Sequence, residues 1–290
     1  MTRDILGEII ATGVLPVVTI NNIAEVDTIA EHFKEVGLNC IEITFRSEVA
    51  SDAIKRFTTN YPDILVGAGT ILNMKDLKSA IENGAEFIVT PGLNLDVIKY
   101  CLDTNIPIFP GVSTATEIQT ATNMGIKVQK FFPSEISGGS KAIQSFTGPY
   151  PDVKFIPTGG INFSNLRDYL KLDNVLACGG TWITKNIDDL TQFRIDLENT
   201  INHIHGVQVT KVEISKQHSN YEDIIVLKNM FGYSGKIEFV DSSISQIEAR
   251  VINLERFEKY LRDRHIVYFR TQDSLKVDLN QYRLVFIKGR

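Results

Sequence analysis

One lysine, Lys130, occupies a position where its amine could act as a nucleophile. It lies near the end of a strand-like run and is followed by Phe131-Phe132-Pro133. An amine among apolar and aromatic neighbours is poorly solvated, and desolvation disfavours its charged form. Because a neutral amine attacks carbonyl carbons, the position indicates Schiff-base chemistry. The alternative is a surface lysine whose stem covers apolar surface while its ammonium group reaches water, and this segment alone does not decide between the two.

A carboxylate, Glu42, lies inside another strand-like run, Cys40–Thr44. Side chains alternate along a strand, so Glu42 is predicted to share the interior face with Cys40 and Thr44. A carboxylate on such a face costs several kcal/mol unless it is paired or functional. One interpretation is a buried ion pair with Lys130, and the other is a proton shuttle for imine formation at that lysine. The pairing is compatible with both.

Glycine-rich segments follow three of the predicted strands. Residues 157–162 (PTGGIN) and 178–182 (CGGTW) each place a glycine pair beside a hydroxyl residue. Exposed backbone N–H groups in such turns bind anions, and barrels often bind phosphate after strands seven and eight. Ordinary turn glycines are the alternative, but two pairs at these two positions favour a phosphate site. Residues 67–70 (GAGT) end the third strand, where the glycines serve tight packing or open the barrel entrance.

Short strands alternate with helical patterns through the first 205 residues. Strict alternation indicates parallel strands joined by crossover helices, and eight strands close a TIM (β/α)8 barrel. A doubly wound open sheet is the alternative, but it usually carries a glycine fingerprint after its first strand, and Val17–Asn22 has no glycine. The predicted strands are Val14–Thr19, Cys40–Thr44, Leu65–Gly69, Phe87–Thr90, Ile108–Gly111, Lys127–Phe131, Lys154–Thr158 and Val175–Gly179.

The helical patterns between these strands are amphipathic. Ile23–Phe33 is the clearest, and Asn73–Asn83 has Asn73 as a predicted N-cap and Gly84 as its stop. Further helices are predicted to begin near Leu95, Thr114, Ser164 and Asp188, with room for only a short helix after Lys130.

Residues 206–290 have a different character and are predicted to form a small α+β domain with antiparallel strands. The join with the barrel domain, residues 1–205, is expected near Gly206. Predicted strands are Val207–Ile214, Ile237–Val240, a run around Ile247–Ile252, Ile266–Phe269 and Tyr282–Ile287, with helices at Tyr221–Met230 and Leu254–Arg264.

Composition excludes several classes of partner. The 290 residues carry a net charge of −5, which argues against nucleic acid or an anionic membrane. No apolar run approaches the roughly 20 residues that span a bilayer, and the N-terminus lacks the pattern of a signal peptide. Cys40, Cys101 and Cys178 are far apart and predicted to be buried thiols in a reducing cytoplasm. His203 and His205 lack further ligands, so no metal site is expected.

Seven motifs together resemble the family of 2-keto-3-deoxy-6-phosphogluconate (KDPG) and 4-hydroxy-2-oxoglutarate (KHG) aldolases. They occur in the family's order and span nearly the whole first domain. The motifs are residues 41–46 (IEITFR), 66–70 (VGAGT), 90–92 (TPG), 110–114 (PGVST), 130–133 (KFFP), 157–161 (PTGGI) and 179–182 (GGTW).

The resemblance implies a class I aldolase without cofactor or metal. Lys130 would form the Schiff base with pyruvate or the keto acid, and Glu42 would be the general acid/base. Arg46 would hold the pyruvate carboxylate, assisted by Thr70, because a guanidinium suits a planar anion. The remaining substrate-binding residues implied are Pro91 and Phe132 at the pocket wall, Thr158 for substrate choice, and Gly159, Gly160, Gly180 and Thr181 for phosphate.

The family is typically homotrimeric, so a homotrimer acting on a phosphorylated keto acid is expected. Related phosphogalactonate aldolases tend to carry an aliphatic residue where this chain has Thr158, so threonine favours the gluconate epimer. The alternatives are the same chemistry on KHG or on the galactonate epimer, and a non-catalytic phosphosugar sensor. The second domain weakly resembles half of a glyoxalase-like, vicinal-oxygen-chelate module around residues 253–261, and a role in packing or assembly is expected for it.

Overall fold

The computed structural model describes residues 3–205, 208–215, 237–240, 245–263, 266–279 and 282–288. The chain divides into two compact units, Met1–Ile201 and Asn202–Arg290. Sequence patterns place the join at residues 205 and 206, a few residues further on. The long helix Leu190–His205 contains the point of division.

The first unit alternates strands and helices from end to end. Its strands are β1 (Val14–Val18), β2 (Cys40–Thr44), β3 (Leu65–Gly69), β4 (Phe87–Val89), β5 (Ile108–Phe109), β6 (Gly111–Val112), β7 (Val128–Phe131), β8 (Lys154–Pro157) and β9 (Cys178–Gly180). Its helices are α1 (Ile5–Thr12), α2 (Glu25–Val36), α3 (Ala50–Asn60), α4 (Met74–Glu82), α5 (Leu95–Asp103), α6 (Ala115–Asn123), α7 (Gly139–Phe146), α8 (Leu166–Leu170) and α9 (Leu190–His205). All eight predicted strand positions are confirmed.

Parallel pairing arranges these strands in two curled sheets rather than in one continuous ring. The strand orders are β5-β4-β3-β2-β1-β9 and β6-β7-β8. The predicted fifth strand is split at Pro110, which has no backbone N–H to continue a ladder. Between β8 and the last strand only two single bridges form, Phe155 with Val175 and Thr158 with Gly179. The fold is therefore a curled parallel α/β sheet, and the prediction of a closed eight-stranded barrel goes further than these pairings.

The amino ends of the strands enclose an apolar cluster. Helix α1, which sequence patterns did not predict, packs Ile9 against this cluster with no exposed surface, and Gly13 ends the helix in the left-handed conformation. The side chains that form the cluster are Ile9, Leu15, Cys40, Leu65, Phe87, Val89, Phe109, Ile156 and Ala177. The three cysteines are buried thiols, as predicted.

Local signals of the helices agree with the sequence patterns. The Asn73 side chain accepts a hydrogen bond from the Asp76 N–H, which confirms it as the N-cap of α4. Thr114 and Glu117 form a complete capping box at the start of α6. Helix α7, after Lys130, is short, with 8 residues.

The second unit is a mixed sheet with one described helix, α10 (Leu254–Asp263). The strands are β10 (Gln208–Ser215), β11 (Ile237–Val240), β12 (Ser245–Val251), β13 (Phe269–Arg270), β14 (Ser274–Leu279) and β15 (Tyr282–Lys288), in the order β11-β10-β12-β15-β14-β13. The expectation of antiparallel strands is wrong for two of the pairs, because β10 with β11 and β12 with β15 run parallel.

Two strands in this unit differ from prediction. Strand β14 was not predicted, although its residues Ser274–Leu279 alternate polar and apolar side chains, with Leu275 and Val277 buried. The strand predicted at Ile266–Phe269 begins only at Phe269, because Ile266 closes the preceding helix by donating its N–H to Leu261. The helix predicted at Tyr221–Met230 lies outside the described residues.

Candidate active site

Lys130 and Glu42 meet in the interior of the first unit. The Lys130 Nζ donates to the Glu42 Oε1 at 3.1 Å. The two side chains are 7% and 1% exposed, so the pair is almost entirely removed from water. A buried amine beside a buried carboxylate can exchange protons with a bound carbonyl compound and with that carboxylate.

Neighbouring residues determine which way this pair faces. Gln129, on the opposite side of β7, donates its side-chain amide to the Ile118 and Ile126 carbonyls at 3.3 and 3.0 Å. Since side chains alternate along a strand, Lys130 must then point away from α6 and into the interior. Glycine at position 69 leaves the space for Glu42, because a Cβ there would stand 2.0 Å from the Glu42 Oε1.

Arg46 and Thr70 lie in adjacent turns after β2 and β3. The Phe45 N–H donates to the Gly69 carbonyl at 2.8 Å and continues the parallel ladder into these turns. Arg46 is exposed, and no ion pair to it is found among the described residues. Thr70 has a φ of 59°, a left-handed conformation that is unfavourable for a β-branched residue. Such strain concentrates at functional sites.

Phe132 and Pro91 lie at the ends of β7 and β4. The Lys130 Nζ is 5.4 Å from the centre of the Phe132 ring, so the aromatic face covers one side of the amine. The Pro91 carbonyl packs against Gly111, where a Cβ would stand only 2.2 Å from that oxygen. Both residues therefore lie at strand ends near Lys130.

Gly159 and Gly160 form a turn with unused backbone donors. Their φ angles are 99° and 78°, which few residues other than glycine adopt. In the part of the chain that the structure describes, no acceptor is found for the N–H group of either glycine. Gly180 and the exposed Thr181 end the next strand, which a bridge between Thr158 and Gly179 places beside this turn. Free amides and a hydroxyl at neighbouring strand ends suit an anion such as phosphate.

Thr158 places a buried hydroxyl at the same end of the sheet. The residue is 7% exposed, and its Oγ1 has no hydrogen-bond partner among the described residues. Gly179 makes room for this hydroxyl, because a Cβ there would lie 2.2 Å from it. An unpaired buried hydroxyl costs about 1–3 kcal/mol, which a substrate hydroxyl would offset.

Three further residues at this end were not assigned a role by sequence reasoning. Trp182 stacks its ring on Gly180 and buries an Nε1 that has no partner among the described residues. As the single tryptophan of the chain, beside a glycine pair, it was a signal available in the sequence. Tyr169 and Glu135 form a hydrogen bond beside the Gly159–Gly160 turn. No signal in the sequence joins them, because they belong to different strand–helix units.

Glu117 organises the turn after β6. Its Oε2 accepts hydrogen bonds from the N–H and hydroxyl groups of both Ser113 and Thr114 at 2.8–3.1 Å. Burial raises the pKa of Glu117, but these hydrogen bonds outweigh burial and hold the pKa below its ordinary value. The residue is therefore charged at neutral pH and stabilises the start of α6.

The described residues contain neither a cluster of metal ligands nor a membrane-spanning helix. There, no group of three or more His, Cys, Asp or Glu side chains is close enough to hold a metal ion. None of the helices described is long and apolar enough to cross a membrane.

Known proteins resemble this chain in sequence and in fold. The family model for KDPG and KHG aldolases matches residues 7–193. A 2-dehydro-3-deoxy-phosphogluconate aldolase of Haemophilus influenzae is 44% identical over 184 residues, which cover 63% of this chain and 87% of the relative. The KHG/KDPG aldolase of Escherichia coli K12 is 41% identical over 176 residues, covering 60% of this chain and 83% of the relative.

Among solved structures, a KDPG aldolase from Legionella pneumophila superposes with a TM-score of 0.65 at 31% identity, covering 69% of this chain and 97% of that one. That crystal structure holds pyruvate as a covalent carbinolamine intermediate. Fold and sequence therefore define an aldolase, a carbon–carbon lyase. The chain belongs to the KDPG and KHG aldolase family.

Proposed function

We propose that this protein cleaves KDPG to pyruvate and glyceraldehyde 3-phosphate through a Schiff base at Lys130. The single observation that carries the proposal is the buried contact of 3.1 Å between the Lys130 amine and the Glu42 carboxylate. Three relatives named as 2-dehydro-3-deoxy-phosphogluconate aldolases, which match at 44%, 42% and 41% identity, support the choice of substrate.

The reaction begins with attack of the Lys130 Nζ on the C2 carbonyl carbon of the keto acid. Glu42 passes protons between the amine and the carbonyl oxygen, which leaves as water when the imine forms. Glu42 then removes the proton of the C4 hydroxyl, and the C3–C4 bond breaks. Its electron pair moves into the imine, giving an enamine and free glyceraldehyde 3-phosphate. Protonation of the enamine carbon and hydrolysis release pyruvate and restore Lys130.

The other residues bind and orient the substrate in this proposal. Arg46 and Thr70 hold the carboxylate next to the imine carbon, and Pro91 and Phe132 border the pyruvyl group. Phosphate is bound by the backbone N–H groups of the two glycine turns together with a hydroxyl. The residues assigned to phosphate are Gly159, Gly160, Gly180 and Thr181.

Thr158 selects the substrate epimer in this proposal. Its buried hydroxyl lacks a partner among the described residues, and in this proposal a hydroxyl of the bound sugar acid supplies that partner. We expect a higher kcat/KM for the gluconate than for the galactonate epimer. Thr158→Val, which keeps the shape and removes the hydroxyl, should lower this preference by about tenfold. A wild-type preference for the galactonate epimer, measured under the same conditions, would contradict the assignment.

Imine formation is tested by trapping. The full chain is incubated with pyruvate and borohydride, and the adduct is located by mass spectrometry of peptides. We expect one stable adduct on Lys130, and loss of both adduct and cleavage in Lys130→Arg. This variant keeps a cation beside Glu42 but its guanidinium does not deprotonate to a nucleophile.

Lys127→Arg is the matched control, because Lys127 is exposed on the same segment, at the opposite end of the strand. It should retain both adduct and activity. An adduct that persists in Lys130→Arg, or no adduct with wild type, would sink the imine proposal. Binding of phosphosugar without any cleavage would instead indicate a non-catalytic sensor.

The proposal also covers the closure of the barrel, the domain boundary, the assembly and the location of the protein. We infer that the two parallel sheets of the first unit close into a (β/α)8 barrel, supported by the single bridges to Val175 and Gly179. The domain boundary at residues 205 and 206, a homotrimeric assembly and a cytoplasmic location are proposed with it. Sedimentation of the full chain tests the assembly, and a monomeric mass with full activity would contradict the trimer.

A further inference from the structure

A hydrogen-bonded chain of three side chains, two of them buried and one, Glu135, exposed, lies next to the turn proposed to bind phosphate. The Ser134 hydroxyl donates to the Tyr169 Oη at 2.9 Å, and the Tyr169 hydroxyl donates to the Glu135 Oε1. Ser134 has no exposed surface and Tyr169 is 1% exposed. Neither Tyr169 nor Glu135 has a role in the reaction described above.

Glu135 is bonded to the phosphate turn by its backbone. Its N–H donates to the Gly159 carbonyl at 3.1 Å, and the Ser134 N–H donates to the Thr158 carbonyl at 2.8 Å. The side chain continues under Gly160, where a Cβ would stand 2.7 and 2.6 Å from the Glu135 Cβ and Cγ. A carboxylate is thus attached within a few bonds of a site that is to receive a phosphate dianion.

The carboxylate lies next to Gly139 rather than Gly160. A Cβ built on Gly160 would meet the Glu135 Cβ and Cγ before either carboxylate oxygen, whereas Oε1 is 3.3 Å from where a Cβ of Gly139 would stand. Gly139 has a φ of 63° and lets the Glu135 and Tyr169 side chains approach each other there. Burial, followed by the bond to Glu135, raises the pKa of Tyr169, so the phenol remains a donor at neutral pH.

We propose that Tyr169 is a positioning residue that holds the Glu135 carboxylate away from bound phosphate and thereby sets the affinity for phosphorylated substrates. The inference rests on the proposed function, because it takes Gly159 and Gly160 as the phosphate site. Without the Tyr169 hydroxyl, the Glu135 side chain is free to rotate beneath Gly160. Two like charges a few ångströms apart repel, and solvent at the protein surface screens this repulsion only in part, which weakens phosphate binding.

The test compares the activity of the enzyme on KDPG, which carries a phosphate, with its activity on KHG, which does not. In Tyr169→Phe, KM for KDPG should rise about tenfold while kcat changes less than about twofold. KM for KHG should stay within about twofold of wild type, because KHG places no charge at the turn.

The double variant Tyr169→Phe with Glu135→Gln separates charge from structure. Glutamine keeps the length and packing of Glu135 but removes its charge, so KM for KDPG should return to within about twofold of wild type. Glu135→Gln alone should leave KM for KDPG unchanged or lower it, which holds even if Tyr169→Phe fails to fold. A tyrosine that only supports the fold would raise KM for both substrates, and adding Glu135→Gln would not restore it.

Three outcomes overturn the inference: an unchanged KM for KDPG in Tyr169→Phe, an equal rise for KHG, or a higher KM in Glu135→Gln. Each is read with wild-type cleavage and borohydride trapping at Lys130 measured alongside. Absence of both in the wild type would contradict the proposed function itself, so the two failures are distinguishable.

Discussion

The two ends of the parallel strands in the first unit differ in what their interior positions contain. At the amino ends these positions are apolar, as at Leu15, Leu65 and Phe87, and Ile9 of α1 packs against them. Towards the carboxyl ends, the interior positions include two charged residues, Glu42 of β2 and Lys130 of β7. One face of a single strand, β2, passes from the apolar Cys40 to the charged Glu42 within two residues.

The two ends of these strands contribute differently to stability. Burial of apolar surface at the amino ends is favourable without any ligand. The carboxyl ends instead bury polar atoms that have no partner among the described residues, namely Ser47 Oγ, Thr158 Oγ1 and Trp182 Nε1. Each such atom costs about 1–3 kcal/mol until something binds it. Unpaired polar groups at one end of the strands are therefore held in place by an apolar core at the opposite end.

The largest effect is expected from Glu42→Gln at the carboxyl end. Glutamine keeps a hydrogen-bond acceptor for Lys130 but cannot shuttle protons, so kcat should fall by about 10²- to 10⁴-fold. Steady-state cleavage of KDPG measures the fall. Glu8→Gln at the amino end is the matched control, since the Glu8 side chain pairs with Arg3, and this variant should leave kcat unchanged. A kcat of Glu42→Gln within a few fold of the wild-type value would contradict a catalytic role for Glu42.

Ile9→Ala at the amino end is expected to lower the stability of the protein and to leave kcat unchanged. The side chain is fully buried, so truncation should lower the free energy of unfolding by about 2–5 kcal/mol. Urea denaturation measures the loss, and kcat at low temperature should not change. Ile195→Ala deletes the same atoms at a position that is 44% exposed and should cost less than about 0.5 kcal/mol. If kcat falls together with stability in Ile9→Ala, the two ends are not separable.

Two arginines, one at each end of the strands, allow the same comparison between the two ends. Arg3 pairs with Glu8 and Glu86 at 2.8 and 3.0 Å at the amino end. Arg46 at the carboxyl end has no ion pair among the described residues. Arg46→Lys should raise KM for the keto acid about 10- to 100-fold through loss of bidentate binding, with stability unchanged. Arg3→Lys should leave KM as it is, and an equal rise in both variants would contradict a carboxylate site at Arg46.

The smallest effect concerns a carboxylate at the carboxyl end that supports the fold. Hydrogen bonds from Ser113 and Thr114 keep the pKa of Glu117 below its ordinary value. Its contribution to stability is therefore complete above the unfolded-state pKa of about 4.3, and is lost as pH falls through the lower folded-state pKa. Glu117→Gln should cost about 1 kcal/mol at pH 7.

Denaturation of wild type and Glu117→Gln across a pH series checks this dependence. The difference between them should shrink below about pH 4. A difference that is constant with pH would mean that the charge of Glu117 contributes nothing.

Much of the first unit could be predicted from its sequence. Short apolar runs alternating with amphipathic stretches located all eight strand positions, because strand and helix periods differ and each element is local. Helix α1 was not predicted because it precedes the first strand, whereas the predicted helices were located between consecutive strands. The split at Pro110 and the parallel pairs of the second unit were also missed, because pairing partners are chosen by packing rather than by local pattern.

The sequence by itself determined the family, the order of the elements and the types of residue at the strand ends. Seven short motifs are sufficient for this, because each is a local run of residues. The tertiary structure alone decided which of these residues touch. Lys130 and Glu42 are 88 positions apart, and Tyr169 and Glu135 are 34 apart. Contacts over such separations depend on strand register and on which face each side chain takes, and a period of two over six residues leaves that face undetermined.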